Sequence, residues 1–284
     1  MYERIFCVLF SAVLTGAFAL SASAQKDITS VDLRNFSYRP SCLYEDSGQG
    51  KAITVKDGEY SYEKQEDGYT DRFYFNIFDV VYGDLTGDGR PEAVALSVCN
   101  TGGTGNFTEG FIFTLRNGKA VQIGVLPGGD RAYGGIRKAW IENDELWVET
   151  NDPGENGGAC CPVQIITSRY RLRAGKLVES GKHTTRQIFP KREVKFAKGK
   201  SSATITLTVR GDEGAELTLR AAKGQTMTVT VSDKAVDATL LGEAKVTTTD
   251  NGFSAVLDSS GSYSIQLAND AAEDKTITVT ISIR

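Results

Sequence analysis

Histidine is almost missing from this chain. The one present, His183, lies in a polar segment and reads as a solvated linker residue. A single histidine excludes His-rich zinc sites and leaves little material for a Ser-His-Asp or Cys-His catalytic unit. Clusters of lysine or arginine are also missing. The net charge is −4 with basic residues scattered, so nucleic acid is not an expected partner. After residue 24 there is no apolar run long enough to span a bilayer, and almost nothing upstream of 180 has a helical period.

The one long apolar run, residues 5–20, follows Arg4 and precedes Ala22-Ser23-Ala24, a small-residue cleavage pattern. Residues 1–24 are therefore expected to be a signal peptide, with 25–284 released to the periplasm or outside. Outside that run four cysteines remain, Cys42, Cys99, Cys160 and Cys161. An exported chain favours disulfides, and three connectivities are open. A bond between the neighbours Cys160 and Cys161 needs strained geometry, because adjacent Cα atoms sit closer than disulfides usually prefer. Crossed bonds to Cys42 and Cys99 are less strained locally. A Cys42–Cys99 bond would contribute roughly 4 kcal/mol by the chain-entropy estimate.

What is present is strand pattern. Residues 73–81 and 93–99 flank an oxygen-rich loop, and 93–98 is a nearly continuous apolar run suited to a strand buried on both faces. Asp57-Gly58, Asp67-Gly68 and Asn117-Gly118 are hairpin signals. Short runs at 111–116, 120–126, 139–141, 146–150, 163–172 and 176–178 complete a first all-β region, with a Gly-rich cysteine loop at 151–162. The polar, basic stretch 180–191 is the expected boundary. Beyond it Ile205, Leu207 and Val209 alternate with Thr204, Thr206 and Thr208. Met227, Val229 and Val231 repeat the pattern, as do Ile277, Val279 and Ile281. Turn signals separate about eight such strands, as in a β-sandwich. The expected architecture is all-β in two domains: a mixed β-sheet domain over 25–189 and an antiparallel β-sandwich over 190–284.

In the loop after 73–81, Asp84, Thr86 and Asp88 are spaced i, i+2, i+4 and Gly89 follows, as in the first half of an EF-hand loop. Asp84, Thr86, Asp88, Arg90 and Glu92 form the candidate set for a structural calcium ion. The twelfth position is Ala95, where an EF-hand needs a bidentate Glu, and the flanks read as strands. The alternative is an Asp/Gly-rich turn without an ion. Paired carboxylates such as Asp84 and Asp88, or Asp152 and Glu155, are material for a hydrolase, but sequence spacing shows neither a cleft nor their separation, and solvated turn acids are the better explanation.

The loop over 83–92 resembles the Asp-rich motif of FG-GAP and related β-propeller repeats, which often bind calcium. It occurs once, so a propeller does not follow. The stretch 82–178, with Asn100-Thr101-Gly102-Gly103-Thr104-Gly105 and Cys160-Cys161-Pro162, resembles a group of exported bacterial proteins of unknown function.

The second region is similar to periplasmic inhibitors of goose-type lysozyme. Residues 194–203, Ala222-Lys223-Gly224-Gln225-Thr226-Met227 and Ser260-Gly261-Ser262-Tyr263 carry the likeness, which covers about 193–284. It implies a loop pushed into a lysozyme's acidic cleft, with Ser260, Gly261 and Tyr263 as the matching Ser-Gly-x-Tyr motif. The chain departs from the family in two loops. Ala268, Ala272 and Glu273 stand where basic residues are expected, and Asp212, Glu213 and Gly214 stand where aromatics are expected. The functional expectation is an exported, non-catalytic binding protein, with inhibition of a lysozyme-like wall hydrolase implied by the resemblance. The alternative is a calcium-stabilised adhesion or carbohydrate-binding protein using aromatics such as Tyr133, Trp140 and Trp147.

Overall fold

The computed structural model describes residues 27–43, 51–66, 68–155 and 157–284. The expected signal peptide and Asp67 of one hairpin signal lie outside them. The described chain is all-β, with one short 3-10 turn at Ile28–Ser30. A two-stranded ribbon of β1 (Ser37–Tyr38) and β2 (Ile53–Thr54) comes first. Then follow β3 (Glu59–Glu66), β4 (Tyr69–Gly83), β5 (Glu92–Asn100), β6 (Phe107–Arg116) and β7 (Lys119–Asp130), hydrogen-bonded in that order as one antiparallel meander.

A second sheet contains β8 (Ile136–Glu142), β9 (Glu145–Asp152), β10 (Gln164–Arg173) and β11 (Lys176–Glu179), with β12 (Thr184–Gln187) also paired to β10. The mixed sheet expected over 25–189 is a correction: every strand pairing described here is antiparallel. Short tight turns explain this, since they reverse the chain and leave no room for the long crossover that parallel pairing requires. Asn117 and Gly118 both have positive φ (50° and 73°), the type I′ combination whose twist matches a two-residue hairpin.

Alternation of side chains places two cores on the two faces of the meander. One face buries Phe75, Ile77, Ala93, Ala95, Phe111 and Phe113 beneath the segment carrying Ile28, Leu33 and Tyr38. The other buries Val94, Leu96, Ile112 and Leu126 against Ala139, Leu146 and Val148 of the second sheet. β5 is central and covered on both sides, which is why 93–98 reads as a continuous apolar run.

The remaining strands form a sandwich with its own core, drawn entirely from 194–283. One sheet has the order β13 (Lys191–Glu193), β15 (Glu213–Ala221), β20 (Gly261–Asn269), β17 (Val236–Leu241). The other has β14 (Ser202–Val209), β21 (Lys275–Ile283), β16 (Thr226–Val231), β19 (Gly252–Leu257), β18 (Ala244–Thr249). Thr204, Thr206 and Thr208 sit opposite Thr280, Thr278 and Thr276 on the wet face, their hydroxyls 3.0–3.4 Å apart. The polar stretch expected as a linker is partly strand: β12 joins the second sheet and β13 lies parallel to β15.

Candidate functional site

Two bonds tie the cysteines, Cys42–Cys99 and the neighbours Cys160–Cys161. Of the three open connectivities, the pairing realised is the one that contains the adjacent bond. Cys99 is buried beside the Phe75 core, whereas Cys160 and Cys161 are exposed on the 151–162 loop.

The Asp-rich loop does not bring its acids to one centre. Asp84 accepts backbone N–H bonds from Gly87 (2.7 Å) and Asp88 (3.2 Å) on one oxygen and from Gly89 (2.7 Å) on the other. Glu92, buried, accepts the Leu85 and Thr86 amides at 3.1 Å and the Thr114 hydroxyl at 3.0 Å. Asp88 accepts the Arg90 amide. Gly87 and Gly89 take φ of 76° and 80°, which lets the loop curl its amides toward Asp84. Desolvation raises the Asp84 carboxyl, but the amides of Gly89, Gly87, Asp88 and Thr86 outweigh it and hold it below the ordinary aspartate value. Among the described residues no three His, Cys, Asp or Glu side chains are grouped to share a metal ion.

Trp140 and Trp147 stack on each other with centroids 5.6 Å apart. Lys138 covers the Trp140 ring at 5.6 Å and Arg169 covers Trp147 at 5.1 Å. The ring faces that a sugar would stack on are therefore already in contact with a ring or a cation. Tyr133 is 56% exposed and belongs to no ring pair among the described residues.

The two ends of the sandwich differ. At one end, Glu213 and Gly214 meet the chain that enters from β12. Arg186 donates to Glu149 of the second sheet at 2.7 and 2.8 Å and to Glu213 at 2.6 Å. Arg137 donates to the Asp212 carbonyl at 3.1 Å, and the Gly214 amide donates to the Ile188 carbonyl at 3.0 Å. A Cβ on Gly214 would lie 2.0 Å from the Phe189 ring. Asp212, Glu213 and Gly214 thus dock the preceding chain. Asn269, buried, closes the neighbouring 269–275 loop by donating to the carbonyls of Val209, Arg210 and Glu273.

The opposite end carries the Ser-Gly-x-Tyr motif. Tyr263 is only 6% exposed; its ring joins the sandwich core and its hydroxyl donates to the Ser259 carbonyl at 2.6 Å. Ser260 is exposed and accepts the Lys223 amide at 2.9 Å, joining the 222–225 turn to the 258–261 turn. Strand register brings further cations here that no motif identified. Arg220 and Ala221 lie opposite Ser262 and Gly261. Arg284 exchanges backbone bonds with Thr226, and the Ile283 amide reaches the Ser201 carbonyl beside the 197–200 turn. Lys198, Lys200, Arg220, Lys223 and Arg284 are all exposed at this end, with Asp258 and Glu243 as the acids nearby in strand order. They are far apart in sequence, so only the antiparallel register could have found them.

No protein-family model and no curated protein matches the chain. Among solved structures it is similar to Aeromonas hydrophila PliG, a periplasmic lysozyme inhibitor of g-type lysozyme, at 25% identity over 34% of this chain and 97% of that chain, with TM-score 0.31. Salmonella Typhimurium PliG gives 22% identity over 34% and 98%, with TM-score 0.30. A mutant of Escherichia coli PliG gives 25% identity over 34% and 99%, with TM-score 0.29.

Proposed function

We propose that the chain is an exported, non-catalytic binding protein whose 190–284 region acts as a domain that engages a lysozyme-like wall hydrolase through the Ser260 end of its sandwich. The carrying observation is the gathering of Lys198, Lys200, Arg220, Lys223 and Arg284 at the end that holds the Ser260–Lys223 turn pair, opposite the end that contacts Arg186. A basic, polar tip complements a cleft built on catalytic carboxylates and steers encounter with it. The basic residues lost at 268–273 belong to the other end, which is already docked, so their loss does not touch this tip. Export is supported by the apolar segment at 5–20, the cleavage pattern after it, and the Cys42–Cys99 bond.

The test is lysis of cell-wall suspensions by goose-type, chicken-type and invertebrate-type lysozymes with the mature chain added. Inhibition of one class at micromolar protein, weakened in Lys200→Glu/Lys223→Glu, is expected. No inhibition of any class would remove the reading.

A further inference from the structure

The 27–43 segment lies across the Phe111 face of the meander, next to the start of β6 and the end of β7. There it leaves a cavity of about 390 Å³, lined by Ser41, Cys42, Phe107, Glu109, Val125 and Pro127. Register explains the lining: Phe107 lies opposite Cys99, Glu109 opposite Ser97 and opposite Pro127, and Val125 opposite Phe111. Phe107 and Val125 are 44% and 42% exposed, so two large apolar side chains form an open rim. The Cys42–Cys99 bond ties the segment carrying Ser41 to β5 beside it.

Glu109 is 6% exposed. Its Oε1 accepts the Ser41 amide at 2.8 Å, and among the described residues no lysine or arginine pairs with it. Burial pushes its carboxyl above the ordinary glutamate value, partly offset by the Ser41 bonds. A buried carboxyl held only by Ser41 is relieved either by taking up a proton or by a positive charge supplied from outside. It faces an open cavity with aromatic and aliphatic walls, the usual composition of a small-ligand site with one charged anchor.

We propose that this cavity is a binding site for a small organic cation, an amine or amidinium with an apolar body, whose charged group pairs with Glu109 while its body packs on Phe107, Val125 and Pro127. The site is separate from the Ser260 tip and independent of the lysozyme reading.

Benzamidine and its neutral counterpart benzamide are the probes, followed by amide chemical shifts of the full mature chain. Benzamidine is expected to shift Phe107, Thr108 and Val125 saturably at millimolar or lower concentration, with benzamide at least 10-fold weaker. Glu109→Gln should lose at least 10-fold toward benzamidine. Should that variant unfold, Val125→Arg places a cation at the exposed rim and should weaken benzamidine to the same degree. Equal binding of the two probes, undiminished binding in both variants, or no binding of benzamidine by the wild type would each overturn the proposal.

Discussion

Arg186 and Glu213 are joined at 2.6 Å, and the same guanidinium holds Glu149 at 2.7 Å, so one side chain links the second sheet to the start of the sandwich. Both carboxylates are nearly buried and Arg186 is a quarter exposed. Removing the cation leaves two desolvated acids unpaired. Arg186→Ala is expected to cost about 3 kcal/mol, read from urea unfolding. Replacing all three residues by Met or Leu should recover most of that loss, because an apolar cluster carries no unpaired charge.

The same cluster sets a pH dependence. Desolvation raises the Glu149 carboxyl, but the hydrogen bonds and charge of Arg186, with Lys138 and Arg137, outweigh it and hold it below the ordinary glutamate value. A depressed carboxyl contributes stability above its unfolded pKa, about 4.5, and loses it as pH falls through the folded value. Urea midpoints should fall from pH 5 to pH 3, and Glu149→Gln should flatten that part of the slope. An identical slope in the variant would assign the acid sensitivity elsewhere.

Gly214 has no space for a side chain: a Cβ would meet the Phe189 ring at 2.0 Å and the Leu267 carbonyl oxygen at 2.4 Å. Gly214→Val is expected to lose about 3 kcal/mol or more and to loosen β15 from the 186–190 segment. Hydrogen exchange should show faster exchange at the Gly214 and Glu216 amides, which donate to Ile188 and Pro190.

For the Asp84 loop we propose that order comes from backbone amides and needs no calcium. Asp84→Ala removes the acceptor of three N–H groups and should cost about 1 kcal/mol. Wild-type melting temperature should be the same in calcium and in chelator. A rise of several degrees with calcium, abolished in Asp88→Ala, would restore an ion to the loop.

Tyr263 and Lys223 separate folding from binding at the tip. Tyr263→Phe removes the bond to the Ser259 carbonyl and should cost about 1 kcal/mol. Inhibition should stay within about twofold once the variant is folded. Lys223→Glu should leave the melting temperature nearly unchanged and slow association, with the difference shrinking as salt rises.

Strand content was legible because side-chain alternation and turn chemistry are local. Asn117-Gly118 and the apolar run at 93–98 each named their structure from a few neighbouring residues. The strand at Thr184–Gln187 was not legible, because polarity marks exposure and an edge strand is as exposed as a linker. Asp84, Asp88 and Glu92 are a different case: spacing places oxygens near one another but does not say whether a cation or an amide will face them.

The sequence by itself determined the all-β class and the alternation that selects each core face. Tertiary structure decided which cysteines pair, that the acids at 212–213 belong to a docking contact, and that five scattered cations share one end of the sandwich. It also left Glu109 buried beside an open cavity. These depend on register and on which surface another segment covers, and both are set by contacts between residues distant in the chain.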